Sequence, residues 1–227
     1  DQNVQVHLPN ETVATDVEAA ALDMVCDLVD LNPKQWNHRL FTTGATASNI
    51  LGLACAREHI IKTAAARSGV IADVSSQGLF AAMQAAGINN IQILTTMPHS
   101  SLKKAASVLG LGHASVKDVG NHADLSPHRF DLKALELALQ KSPNTASIIS
   151  ISCSEVNSGL FATDADDMLV LRKLADQYGA WLHVDAAFGL LARILPTKPE
   201  YELLKRGVSD LDLADSIAAD AHKLFNV

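Results

Sequence analysis

Ala180-Trp181-Leu182-His183-Val184-Asp185-Ala186-Ala187-Phe188-Gly189 is the stretch whose reading decides the fold. Ala180 to Val184 is a short apolar run of the kind that forms a buried strand. It ends on an Asp followed by small residues. In open α/β sheets ligands bind outside the C-terminal ends of the strands, so Asp185 stands where a carboxylate meets a cationic group. An Asp at the same place also serves as a cap for a following helix, and at this point both readings stand.

Working outward, strand-like and helical runs alternate. Asp164 to Tyr178 reads as a helix before the strand, and Ser216 to Ala219 as a strand after it. Further upstream, Ile91 to Thr95, Ala114 to Val119 and Ala146 to Ser152 read as strands, with helices over Ser100 to Leu109 and Leu132 to Lys141. Nearer the start, Ser48 to Ala66 is an Ala-, Leu- and Ile-rich helix. Val17, Ala20, Ala21, Met24, Val25, Leu28 and Val29 recur at three- and four-residue spacing in an amphipathic helix over Thr12 to Leu31, which ends before Asn32-Pro33. Strands separated by helices imply parallel βαβ units, hence an α/β fold with a mostly parallel central sheet flanked by helices. Ser126-Pro127-His128 and Leu195 to Pro199 read as surface loops, and residues 1–227 as one domain.

Composition agrees and narrows the function. Of 227 residues 48% are hydrophobic but 4% aromatic, which suits helices on a buried sheet better than a β-sandwich. A formal net charge of -7 offers no footprint for nucleic acid or an anionic membrane surface. No apolar run approaches the roughly 18 residues of a membrane span, and Asp1 to Asn10 lacks the order of a secretory signal. Cys26, Cys55 and Cys153 are odd in number and widely spaced, which points to a reducing cytoplasm, without a disulfide framework or a metal site.

Several residues have the chemistry for a site. Asp220-Ala221-His222-Lys223 follows the last strand-like run and puts an amine among apolar neighbours, where a lysine can form a Schiff base with an aldehyde. His99, in Met97-Pro98-His99-Ser100-Ser101, lies between a strand and a helix, with an imidazole able to stack on a ring or shuttle a proton. Thr42-Thr43-Gly44-Ala45-Thr46 feeds a helix N-terminus, an arrangement that binds phosphate through backbone N–H groups. Each of these also has an ordinary structural reading, as a solvated lysine, a hydrogen-bonded histidine or a tight turn.

Their order resembles the group II pyridoxal 5'-phosphate (PLP) dependent decarboxylases of fold type I, which include aromatic-amino-acid, glutamate and cysteine-sulfinate decarboxylases. The likeness is carried by Phe41 to Asn49 with Ala56-Arg57-Glu58, His99 to Ala105, Trp181 to Ala187 and Asp220 to Lys223, with Asn3-Val4-Gln5 and Val13-Ala14-Thr15 at the start. The resemblance implies a PLP-transferase-like large domain. In it Lys223 forms the Schiff base, Asp185 pairs with the pyridinium nitrogen and His99 stacks on the ring. Ala45 and Thr46 hold the phosphate with help from His222, and Ala187 packs on the other ring face. Ser154 stands near a position that usually carries Thr beside the cofactor, in the divergent stretch Ser152 to Asn157.

The implied reaction is decarboxylation of an L-amino acid to its amine and CO2 through a quinonoid intermediate, with His99 and Lys223 as proton donors. A homodimer is implied with it. Asp220-Ala221-His222-Lys223-Leu224 departs from the Asn-Pro-His-Lys-Trp form of animal aromatic decarboxylases, which leaves the substrate open. Family members also carry a segment before this start and a small domain after the lysine, so the chain reads as a partial large domain. Another fold type I PLP carbon-carbon lyase is the nearest rival, and a non-catalytic remnant that binds PLP weakly or serves as a dimerisation partner is a second. A nicotinamide-dependent oxidoreductase is disfavoured because no G-x-G-x-x-G follows a first strand.

Overall fold

The computed structural model describes residues 12–140 and 144–223. Asn3-Val4-Gln5, Lys141 and Leu224 to Val227 lie outside them. In chain order, α1 (Ala14–Leu28), α2 (Ala45–Arg67), α3 (Val74–Gln77) and α4 (Leu79–Ala85) precede β1 (Asn90–Thr95). Next come α5 (Ser100–Val108), β2 (Val116–Asp118), β3 (Gly120–Asn121), β4 (Ser126–Phe130), α6 (Leu132–Gln140) and β5 (Thr145–Ser152). The last elements are α7 (Ala165–Tyr178), β6 (Trp181–Ala186), α8 (Glu202–Gly207) and β7 (Ser216–Ala219).

Strands β2-β1-β5-β6-β7 form one sheet in that order, and every pairing in it is parallel. Parallel neighbours need crossovers, and the helices that provide them cover both faces. Alternation along each strand divides the core in two. Ile93 and Ile148 join Leu53, Ile60 and Ile61 of α2 on one side. Leu94, Ile149, Ile151, Leu182 and Val184 join Met168 and Leu171 of α7 on the other. Burying each such side chain contributes about 1.5–3 kcal/mol.

Local signals explain the helix ends. Asp164 and Asp167 form a reciprocal capping box at the start of α7, which stops where Gly179 takes a left-handed φ of 68°. The start of α2 comes three residues before the expected Ser48, so Ala45 and Thr46 belong to its first turn. Two expectations are corrected. Ser126-Pro127-His128 is not a loop but part of β4, which pairs antiparallel with β3 in a two-stranded ribbon of its own. A two-stranded ribbon has only edges, so Pro127 need break no ladder. The strand expected over Ala114 to Val119 shrinks to Val116–Asp118, because His113–Ser115 closes a 3-10 turn.

Candidate active site

The strand order places a site. From β1 the chain crosses one way to β2, whereas β5, β6 and β7 continue the other way, so the direction reverses between β1 and β5. A crevice forms at the C-terminal edge where such a reversal occurs. The structure has a cleft of about 630 Å³ there, within the range of small-molecule sites. His99 follows β1, and Ser152 ends β5 with Ser154 after it. Asp185 is the penultimate residue of β6 with Ala187 just beyond the strand, and His222 and Lys223 follow β7. The first turn of α2 adds Ala45 and Thr46. All eight residues singled out from the sequence therefore border one cavity.

Asp185 is the most heavily supported of them. The Ala187 amide donates to its Oδ1 at 3.2 Å, and Asn49 Nδ2 donates to its Oδ2 at 2.8 Å. Behind Asn49 stands His183, fully buried, with Nε2 3.0 Å from Asn49 Oδ1 and Nδ1 2.8 Å from Ser216 Oγ. Burial drives the His183 pKa down to about 4 despite the opposing pull of the Asp185 charge, so its ring is neutral. Register explains the grouping: His183 lies opposite Ser216, and Asp185 opposite Ala218. The helix-capping reading of Asp185 fails, since the 3-10 helix that follows has Phe188 at its N-cap and no side-chain cap.

Lys223 is not surrounded only by apolar groups. Its Nζ lies 4.0 Å from the centroid of the Phe188 ring, a cation–π contact, and 3.3 Å from Asp220 Oδ2. The other Asp220 oxygen lies 2.7 Å from His222 Nδ1. One nearly buried carboxylate thus orients both side chains of the last motif.

At the opposite wall, Gly44 takes φ 137°, ψ 169° before α2, a conformation in which an L side chain is strained. The first bonds back to Gly44 O come from the Ala47 and Ser48 amides. That leaves the Ala45 and Thr46 N–H groups without a helical partner, as at any helix start. His99 is the N-cap of α5, its Nδ1 accepting the Ser101 N–H at 3.2 Å. Because an amide can only donate, the neutral ring carries its proton on Nε2. Ser154 has a left-handed φ of 70°, and its hydroxyl donates to Gly159 O at 3.3 Å. Cys153 lies behind Asp185, where burial first and the Asp185 charge second push its thiol up to about 12. A nucleophilic thiolate is excluded there.

Asn49, His183, Ser216, Phe188 and the anchoring role of Asp220 escaped the sequence reading. Some signals existed. His183 shares a strand face with Asp185 two residues on, and Asn49 interrupts the buried stripe of Leu53, Ala56 and Ile60 on α2. Among the described residues no group of His, Cys, Asp and Glu is placed to hold a metal ion, and no helix is long and apolar enough to cross a membrane.

The donor set fits PLP. A phosphate suits the free amides of α2, a cationic ring nitrogen suits Asp185, and an aldehyde suits the Lys223 amine. Comparison with known proteins leads to the same cofactor. A family model for the pyridoxal-dependent decarboxylase conserved domain matches residues 3–227. Aspartate 1-decarboxylase of Aliivibrio fischeri is 30% identical over an alignment that covers 100% of this chain and 41% of that protein. L-2,4-diaminobutyrate decarboxylase of Acinetobacter baumannii is 28% identical over 82% of this chain and 34% of that protein. The solved glutamate decarboxylase domain of a diaminobutyrate-pyruvate transaminase and L-2,4-diaminobutyrate decarboxylase from Vibrio parahaemolyticus superposes with a TM-score of 0.67 at 27% identity, covering 93% of this chain and 41% of that one. The chain thus spans about 40% of the length of the first of these relatives.

Proposed function

This chain belongs to the pyridoxal-dependent decarboxylase family, and on that premise we propose that it binds PLP at the C-terminal edge of its sheet and serves the decarboxylation of an L-amino acid to its amine. The observation that carries the reading is the meeting of Asp185, Lys223 and the α2 N-terminus around one cleft. When bound, PLP links its aldehyde carbon to an amine and takes up in its ring the electron pair left when CO2 departs. Asp185 provides the negative charge that keeps a ring nitrogen protonated. Its two oxygens, held by Asn49 and Ala187, cannot swing away. Lys223 supplies the amine for the aldehyde, and Asp220 aims it. His99, locked by its cap bond to Ser101, presents a fixed ring face and an Nε2–H able to donate a hydrogen bond. Ala45 and Thr46 bind the phosphate through their amides, with His222 beside them, while Ser154 and Ala187 complete the wall.

The substrate class follows the relatives. Two of them are named for aspartate and 2,4-diaminobutyrate, and a screen begins with these. A homodimer is part of the reading: Val13, Val17, Met24 and Leu28 of the α1 region, with Leu40 and Phe41, form an exposed apolar surface that a second copy would cover. Free Cys26, Cys55 and Cys153 support a reducing cytoplasm.

The test is a visible absorbance spectrum of the purified chain with PLP, followed by borohydride reduction and peptide mapping. A pyridoxyl label on Lys223, with CO2 release from one of the amino acids, is the expected result. Label scattered over surface lysines refutes the cofactor site, and label on Lys223 without CO2 from any amino acid leaves only a binding role.

A further inference from the structure

We infer that Trp181 and Ser216, which lie outside the cleft, anchor the far end of a hydrogen-bond chain that runs through buried His183 and Asn49 to Asp185 and positions its carboxylate. The step to the cofactor rests on the function proposed above, whereas the chain's direction follows from hydrogen-bonding chemistry alone. Trp181 Nε1 lies 2.8 Å from Ser216 Oγ, and an indole N–H can only donate. Since Ser216 Oγ accepts that proton, its own hydroxyl proton is available to His183 Nδ1, 2.8 Å away. The direction comes from the other end, where the Asp185 carboxylate can only accept. Asn49 gives it the amide nitrogen, 2.8 Å from Asp185 Oδ2, so Asn49 Oδ1 faces His183 Nε2 at 3.0 Å. The neutral ring therefore carries its proton on Nε2 and accepts at Nδ1.

The carboxylate, which can only accept, sets the direction, and the indole, which can only donate, agrees with it because Ser216 still has its own proton to give to Nδ1. With the His183 proton on Nδ1 instead, Nε2 becomes an acceptor, Asn49 must turn its NH2 towards the ring, and its oxygen then faces the Asp185 carboxylate. Two acceptors at that separation repel. The ring cannot escape by tilting, because α2 lies against it: a Cβ on Gly52 would sit 2.6 Å from His183 Cε1. Trp181 and Ser216 are thus positioning residues that act on Asp185 through His183 and Asn49.

The experiment is 15N NMR of the histidine-labelled chain without cofactor, followed by PLP titration of the same samples, for the wild type, Ser216→Ala and Ser216→Thr. We expect His183 in the Nε2–H tautomer in the wild type and in Ser216→Thr, which keeps the hydroxyl. Ser216→Ala should keep the Nε2–H tautomer but leave Nδ1 without its donor, and bind PLP roughly fivefold more weakly, the scale of one neutral hydrogen bond. The nitrogen signal of 15N-labelled PLP should move towards the unprotonated position in Ser216→Ala alone. An Nδ1–H or doubly protonated His183 in the wild type overturns the chain's direction, even if the alanine variant fails to fold. Unchanged PLP affinity in a folded Ser216→Ala overturns the positioning. A wild type that shows the Nε2–H tautomer yet binds no PLP sinks the cofactor reading instead, and leaves the direction of the chain standing.

Discussion

Mild acid should destabilise this protein through His183 before the carboxylates held below their usual range begin to matter. The native ring is fully buried and its pKa is pulled from 6.5 to about 4, so between these values the unfolded chain binds a proton that the folded chain refuses. Stability from this group is therefore complete above about pH 6.5 and drains away as pH falls towards about 4. A difference of about 2.5 pKa units at 1.36 kcal/mol each makes the loss on the order of 3 kcal/mol, a large part of a typical domain's 5–15. His128, lowered by burial and by Arg129, adds in the same direction. Asp164 and Glu155, held below the usual carboxylate range by hydrogen bonds that outweigh their burial, lose their contribution only at lower pH. The assay is urea unfolding from about pH 7 to about pH 4.5, in the wild type and in His183→Asn. The variant should start less stable but show a much flatter pH dependence. An equally steep decline in His183→Asn, or an NMR titration of His183 with a midpoint near 6.5, would refute the reasoning.

Two further perturbations test the surroundings of the same site. Gly52→Ala gains about 1 kcal/mol of helix propensity but drives a methyl into the His183 ring, where the contact would be 2.6 Å; we expect a net loss of about 1–3 kcal/mol in urea midpoint experiments, and a neutral or stabilised variant would show that α2 does not clamp the ring. Asp220→Asn removes the charge that holds both Lys223 and His222; borohydride-trapped label at Lys223 should fall severalfold while labelling of exposed lysines stays constant, and an undiminished yield would mean that the carboxylate does not aim the amine.

The central elements were legible because their periodicity reports real faces. Ile91 to Thr95, Ala146 to Ser152 and Ala180 to Val184 are apolar on both sides, and the sheet does bury both sides. The misses have local causes. Val74–Gln77 and Leu79–Ala85 are too short, and too rich in Ala and Ser, to show a stripe, so no element was expected there. Pro127 disguised β4, whose pairing depends on its distant partner Gly120. Lys223, Asp185 and His99 were legible for the opposite reason: each lies at or a few residues beyond the C-terminal end of a strand, so the topology alone carries them to the same edge.

The support beneath Asp185 could not be read in this way, because its partners are made by folding. Asn49 and Asp185 are 136 positions apart, and before the sheet forms Asn49 is simply a polar residue in an apolar helix stripe. A buried amide and imidazole each cost free energy unless paired, so such groups persist where every donor finds an acceptor. Here Trp181, Ser216, His183, Asn49 and Asp185 satisfy one another in sequence. Space for them comes from small neighbours: Gly52 above the ring, Ser150 and Ser216 beside it in register, and Ala218 opposite the carboxylate. The small residues around the strand end therefore do more than leave room for a ligand, since they admit a polar chain into the core that ends on the carboxylate lining the cleft.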